Sequence, residues 1–289
     1  MSFVTAIAAR PISNREFAAR MSVKWTAIIL AGQRPGPDPL ASHFGEDWKA
    51  LVRVGGEAML TRVVRTLRSV PDISRIIVLA QDPARMEAAV DAGGGAIILP
   101  SGAGISSSIR SVAGTEVAPW PVFVTTADHV LLTRSMVEEF LLGAQLSAPG
   151  KPSPDVAVGM VEYEVMLSKF PDARRTWLRF SDGAWSGANL FALTSARANA
   201  ALDLWAEAET DRKKPLKLFL HFGFGLALRA ITRTIGLGDA LARAGTRLGL
   251  TARLIPMGDP VAAIDVDKVN DHVQAEAILA AREREGKCG

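Results

Sequence analysis

Cysteine is almost absent: the single thiol, Cys288, sits beside the C-terminal residue, which excludes a disulfide framework or a cysteine-based zinc site and favours a reducing compartment. Aromatic residues are scarce at 6%, and neither sign of charge dominates, with 33 Lys and Arg against 30 Asp and Glu for a net +3. Bases spread thinly along a chain with so few rings exclude a dedicated nucleic-acid binder. A small polyanionic substrate suits the same balance. Long apolar runs are missing too: the richest stretch, between Lys217 and Arg229, is interrupted by His221 and falls short of the roughly 18 residues of a spanning helix. Residues 1–23 carry Arg10, Pro11, Arg15 and Arg20 without the apolar centre of a secretory signal; they read as an N-terminal extension in which Met21 competes with Met1 as the start. A composition of 48% hydrophobic and 22% charged residues over 289 positions is that of a globular protein able to bury one α/β core with an added subdomain. The cytoplasm is the expected compartment.

The chain is organised around Ala27-Ile28-Ile29-Leu30-Ala31-Gly32-Gln33-Arg34, followed by a long turn and Lys49-Ala50-Leu51-Val52. An apolar run of strand length that ends in glycine, a polar residue and arginine is how an early α/β strand delivers the chain to a phosphate-contacting loop. Glycine lets backbone N–H groups approach a polyphosphate, and Arg34 and Lys49 supply charge to neutralise it. The intervening Pro35-Gly36-Pro37-Asp38-Pro39 cannot continue a helix or a central strand, and is expected to be exposed and mobile.

Beyond it, residues 55–69 alternate apolar and basic at helical spacing. Strands are expected at 75–80, 96–99, 121–126 and 156–161, with helices at 83–92 and from about Arg134. Strands alternating with helices imply a doubly wound, mostly parallel sheet. Gly104-Ile105-Ser106-Ser107-Ser108 either caps a helix or lines a base or phosphate pocket. Asp128 ends the fourth strand, where such sheets bind ligands; it is a candidate Mg²⁺ ligand or else a helix cap. His129 reads as a neutral loop histidine. Between Glu162 and Asp182 the pattern is irregular and carries Lys169, Arg174, Arg175 and Arg179, cations that suit either an acceptor phosphate or plain solvation. Gly187 reads as part of a turn entering a strand, with Asn189 near the sheet end and within reach of a sugar hydroxyl.

From Asp211 to Arg253 the chain is basic, apolar and helical together, which fits a subdomain packed on the sheet or peripheral contact with an anionic membrane. Asp265 and Asp267 fall on an expected strand, Ala262–Asp267, so that only one of them faces a given side. A helix is expected from about Val269 to Arg284.

Taken in order, Ile29-Leu30-Ala31-Gly32, Arg34, Lys49-Ala50-Leu51, Gly104 to Ser108, Asp128, Gly187-Ala188-Asn189 and Ile264-Asp265-Val266-Asp267 resemble the MobA-like nucleotidyltransferases, over roughly Thr26 to Ala281. The resemblance implies a GT-A-type, Rossmann-like core at 24–202 and 254–285, with 203–253 as a helical basic subdomain. It implies that Leu30, Ala31, Gly32 and Gln33 wrap the triphosphate, that Arg34 and Lys49 occupy the family's two basic positions, and that Ser106 and Ser107 contact base or ribose. Asp128 matches the strand-end Mg²⁺ ligand and Asp267 a second ligand, with Asp265 as the fallback. Gly187, Asn189 and Arg179 are the acceptor-side candidates. The implied reaction moves a nucleoside monophosphate from an NTP to a phosphorylated small molecule and releases pyrophosphate. The alternatives are a glycosyltransferase using a nucleotide-sugar and a nucleotide-binding module without turnover. The chain departs from the family in its short first loop, in Trp48 before the lysine and in Val130 after the metal-side aspartate, where proline is usual.

Overall fold

The computed structural model describes residues 23–145, 153–173, 175–210 and 224–286. The N-terminal extension up to residue 22, Arg174, Cys288 and the stretch 211–223, with Arg212, Lys213, Lys214, Lys217 and its apolar partners, lie outside the described residues.

Strand β1 (Trp25–Leu30) is the middle of the sheet's parallel half. It pairs in parallel with β4 (Ile73–Ala80) on one side and β6 (Val122–Thr126) on the other, and β4 pairs with β5 (Ile97–Pro100). Beyond β6 the order continues through β9 (Gly183–Leu193) and β7 (Val156–Glu162) to β10 (Ala252–Pro256). β9 runs antiparallel to both neighbours, and β8 (Leu178–Phe180) is hairpinned onto it. The chain leaves β1 towards β4 and β5, then returns to β6 on the other side. That reversal puts a crevice at the carboxyl ends of β1 and β6, where open α/β sheets bind ligands.

The central strands are apolar without alternation because both faces are covered. Along β1, Ala27 and Ile29 join the larger core while Ile28 joins the smaller one; along β4, Ile76 and Val78 alternate with Ile77 and Leu79 in the same way. Helices α2 (Met59–Arg68), α3 (Pro83–Ala92), α5 (Arg134–Gln145) and α10 (Val269–Arg284) contribute to the larger core. On the other face lie α4 (Ile105–Val112) and α7 (Asn199–Thr210). Downstream, α8 (Phe224–Ile231) leaves Leu228 and Ile231 exposed, and α9 (Leu237–Arg247) leads into β10. No helix among the described residues is long and apolar enough to cross a membrane.

Three local expectations are corrected and a fourth is refined. The helix expected from residue 55 begins at Met59, because Gly55 and Gly56 take φ of 61° and 80° and turn the hairpin of β2 (Arg53–Val54) and β3 (Glu57–Ala58). The proline-rich insertion is exposed at Pro35, Gly36, Pro37 and Pro39, as expected, and its end is anchored: Asp38 accepts from the N–H groups of Leu40 (2.9 Å) and Ala41 (3.0 Å), capping the short helix α1 (Pro39–His43), in which Leu40 and Ala41 are buried. Helix α6 (Tyr163–Lys169) opens the stretch read as irregular. Residues 260–263 form a 3₁₀ turn, not a strand: Asp259 caps it by accepting the Val261 N–H (2.9 Å), Pro260 opens it, and it packs against β7 and β9.

Candidate functional site

The loops after β1 and β6 are bound together where they start: Leu30 faces Thr126 in register, and the Ala127 N–H donates to the Leu30 carbonyl at 3.0 Å. Gln33 shapes the first loop. Its N–H donates to Gln81 Oε1 (3.1 Å), its carbonyl accepts from Gln81 Nε2 (2.6 Å), and its own side chain spans to the Asp47 carbonyl (3.1 Å) and the Lys49 N–H (2.9 Å). One glutamine thus clips the far end of the insertion to the glycine loop. Gly32 lies against Gln81, whose side-chain atoms would be 3.2 Å from a Cβ. Gln33, exposed Arg34, Pro35, Gly36, Trp48 and Gln81 line a cleft of about 340 Å³.

Lys49, at the start of a 3₁₀ turn, reaches across to the second loop. Its Nζ donates to Asp128 Oδ2 at 2.6 Å and also contacts Asp267 Oδ1. Burial alone would pull the Lys49 pKa down, but the Asp128 carboxylate and then Asp267 outweigh it and hold the ammonium well above the ordinary lysine range. Asp128 caps no helix; its Oδ1 accepts from Thr126 Oγ1 at 2.5 Å, which fixes the carboxylate's rotation. The Asp128 carbonyl accepts the Val266 N–H at 3.1 Å, so the chain's late acidic segment is tied to this loop through backbone.

Asp265 and Asp267 do point apart, although their segment is not a strand. Asp267 faces Lys49, while Asp265 accepts from Arg175 Nη1 (2.8 Å) and Asn189 Nδ2 (3.2 Å). Burial, followed by the negative charges of Asp128 and Asp267, raises the Asp265 pKa. Asn189 is not in a turn before a strand. It lies inside β9 with φ of 50°, where the β7–β9 register shifts, and the bulge aims its amide at Asp265. His129 is buried and neutral, its pKa lowered by burial to about 4.

Lys49, Asp128 and Asp267 therefore converge from three distant parts of the chain, with Asp265 and Asn189 alongside, while Arg34 is exposed on the wall of the neighbouring cleft. Arg179 does not join them; it is exposed on β8, and the guanidinium that enters the acidic cluster is Arg175. Gly187 lies in β9 opposite Met160, and a Cβ there would meet no atom within 4 Å. Ser107 spends its hydroxyl on Gly104, accepting from its N–H (2.9 Å) and donating to its carbonyl (3.0 Å). Ser106 meets an unforeseen partner: the Glu209 carboxylate accepts from Ile105 N (3.1 Å), Ser106 N (3.3 Å) and Ser106 Oγ (3.2 Å). No sequence signal marks Glu209, an acid at the end of a helix 100 residues further on. Gly104 does carry a trace of it, since a Cβ there would lie 2.3 Å from Glu209 Oε2.

Among the described residues, no group of three or more His, Cys, Asp or Glu side chains forms a metal cage. The donor set does suit Mg²⁺: two carboxylates, Asp128 and Asp267, already converge on one cationic centre, and Mg²⁺ is typically held by one or two carboxylates completed by water and substrate phosphates.

The model of the MobA-like NTP transferase domain matches residues 27–178. No curated protein sequence matches the chain significantly. A hypothetical transferase from Thermus thermophilus is similar in structure, with a TM-score of 0.71 at 28% identity, over 86% of this chain and 100% of that one. CMP:2-keto-3-deoxy-manno-octonic acid synthetase, solved with CTP, superposes with a TM-score of 0.54 at 15% identity, over 90% and 100% of the two chains. For 4-diphosphocytidyl-2C-methyl-D-erythritol synthase from Anaerococcus prevotii the values are 0.52 and 10%, over 89% and 99%. At such identities these last two likenesses speak for the fold alone.

Proposed function

Because the chain belongs to the MobA-like NTP transferase domain family, we propose that it transfers a nucleoside monophosphate from an NTP to a phosphorylated small molecule, in the site formed by Arg34, Lys49, Asp128 and Asp267. The observation that carries this reading is the meeting of Lys49 with both Asp128 and Asp267 beside the glycine loop.

In the proposed reaction an ionised phosphate oxygen of the acceptor attacks the α-phosphorus, a new P–O bond forms, and the bond to the β-phosphate oxygen breaks to release pyrophosphate. The nucleophile is already deprotonated near neutrality, so the protein's task is alignment and charge stabilisation. Leu30, Ala31, Gly32 and Gln33 present the loop backbone to the triphosphate, and Arg34 and Lys49 neutralise its oxygens. Asp128 and Asp267 would hold Mg²⁺, with Asp265 behind them; bound there, the ion would lower the charge on the α-phosphate and on the departing pyrophosphate. Ser106 and Ser107 are the base or ribose side, with Glu209 beside them. On the acceptor side the reading keeps Asn189 and Gly187, and Arg175 is better placed than exposed Arg179 to meet an anion near the carboxylates.

Pyrophosphate release, measured with each NTP and Mg²⁺ against a panel of phosphorylated metabolites, tests the proposal. One pairing should turn over, and Asp128→Asn should slow it by about 10²-fold or more. Turnover of the folded variant at the wild-type rate would refute the assignment. Peripheral membrane contact remains part of the proposal for 211–253, supported by exposed Leu228 and Ile231 beside Arg229 and Arg233. Failure to co-sediment with anionic vesicles at low salt would remove it.

A further inference from the structure

We propose that the Lys49 ammonium and a divalent cation are alternative occupants of the space between Asp128 and Asp267, so that the cation loads together with the triphosphate and not before it. The inference rests on the nucleotidyl-transfer reading for the triphosphate's position, but its cation half stands on the cluster alone.

Asp128 Oδ2 lies 2.6 Å from Lys49 Nζ, and Asp267 Oδ1 touches the same nitrogen from another direction. Both oxygens therefore face a point that already carries a positive charge. The lysine and Asp128 side chains are 15% and 18% exposed, whereas Asp267 is 57% exposed, so the cluster is shielded at its base and open on the Asp267 side. In so partly dry a place a second cation against the same oxygens is repelled by the ammonium. A divalent ion can use both carboxylates only when Nζ has moved.

The backbone cannot supply that movement. The Lys49 N–H is held by Gln33 Oε1 at 2.9 Å, the Leu51 N–H by the Trp48 carbonyl at 2.9 Å, and Ala50 between them is buried. The four-carbon stem can, because a lysine ammonium is a point charge on a flexible chain with freely rotating donors. A triphosphate lying along Gly32 to Arg34 offers new oxygens next to the residue that pins Lys49. One swing of the side chain would release the carboxylates and grip the phosphates. Asp265 is excluded from the exchange, being engaged by Arg175 and Asn189. Cation and NTP then each strengthen the other's binding by the same factor, as linkage requires.

The test is a Mn²⁺ titration of the full chain without nucleotide, following free Mn²⁺ by electron paramagnetic resonance. Wild type should bind weakly, and tighten on addition of a non-hydrolysable NTP analogue. Lys49→Met should bind Mn²⁺ at least about 10-fold more tightly than wild type without any nucleotide, since removing the competing charge leaves both carboxylates free. Adding Asp128→Asn to that variant should abolish the gain. Circular dichroism checks the fold, and Lys49→Gln provides a second variant of different polarity. Folded Lys49 variants that bind Mn²⁺ no better than wild type would overturn the proposal. So would wild type that binds Mn²⁺ equally well with and without the analogue. No turnover is read, so this result is separable from a failure to find pyrophosphate release.

Discussion

The two faces of the sheet are made from alternate residues of the same strands, yet they are finished differently. On the face covered by α2, α3, α5 and α10 the core is continuous, and large side chains such as Trp25, Phe123 and Phe140 are fully buried. On the face covered by α4, α7 and α9, Val124, Val158, Phe191, Trp205 and Leu241 are among the apolar residues around a cavity of about 190 Å³. That is larger than the roughly 150 Å³ apolar cavity known to stay dry and to admit benzene. The acidic segment of the candidate site belongs to the filled face: Ile264 and Val266, which alternate with Asp265 and Asp267, are buried in the larger core. Rigid support lies under the carboxylates, whereas looser packing lies under α7, whose last turn brings Glu209 to the Ser106 side.

Four substitution or pH experiments sharpen this contrast, beginning with the largest effect. Phe140→Ala on the filled face should cost about 3–5 kcal/mol of stability, read as a lower urea midpoint with unchanged m-value. A loss below 1 kcal/mol would mean that this face is not the tightly packed one.

Acid should act next, through His129. The unfolded chain takes up this proton near pH 6.5, but burial lowers the folded value to about 4, so the unfolded state binds more protons between the two. The stability tied to neutral His129 is fully present above pH 6.5 and is lost progressively down to pH 4, amounting to roughly 3 kcal/mol at about 1.4 kcal/mol per pH unit. Asp265, with its raised pKa, works in the opposite sense, because its folded form protonates more readily as pH falls. Urea unfolding in EDTA across this window should show the net slope, and His129→Gln should flatten it. An unchanged slope in the variant would remove His129 from the account.

The smallest effects belong to the cavity face and have opposite signs. Gly245→Ala in α9 should destabilise by about 1–3 kcal/mol despite better helix propensity, because the new Cβ would lie 2.9 Å from both Ala252 Cβ and Ala252 N. Ala201→Leu, on the cavity wall, should stabilise by about 0.5–2 kcal/mol by filling space. Thermal melts decide both; destabilisation by Ala201→Leu would mean that the cavity is not available to the side chain.

The parallel half of the sheet was legible in the sequence because its strands are short apolar runs ended by glycine or polar residues, as at Leu30-Ala31-Gly32 and Thr126-Ala127-Asp128. Helix α10 was legible at both ends. β9 was harder: its first half, Gly183 to Asn189, carries two glycines and a left-handed asparagine, which read locally as turn residues, and only pairing with β7 and β8 makes it a strand. The late acidic segment was misread for the complementary reason. Ala262 to Asp267 alternates like a strand, but alternation records burial of every second residue, and a 3₁₀ turn packed on the core with an extended exit satisfies it too.

At the site, charged side chains could be singled out as candidates: Arg34, Lys49 and Asp128 from residue type and position, and Asp267 from the family resemblance, which left Asp265 as its fallback. Those that act by holding others could not. Gln33's clip, the Arg175–Asp265 pair and Glu209 against α4 depend on distances between remote segments, for which one sequence carries no signal.

The most direct measurement follows the phosphorus. With an NTP labelled in its α-phosphate, the chain should move the label into a phosphorylated acceptor and release one unlabelled pyrophosphate per transfer, and Asp128→Asn should suppress both together. Label retained on the nucleotide while a nucleotide-sugar is consumed, or label transferred equally well by the folded Asp128 variant, would contradict nucleotidyl transfer at this site.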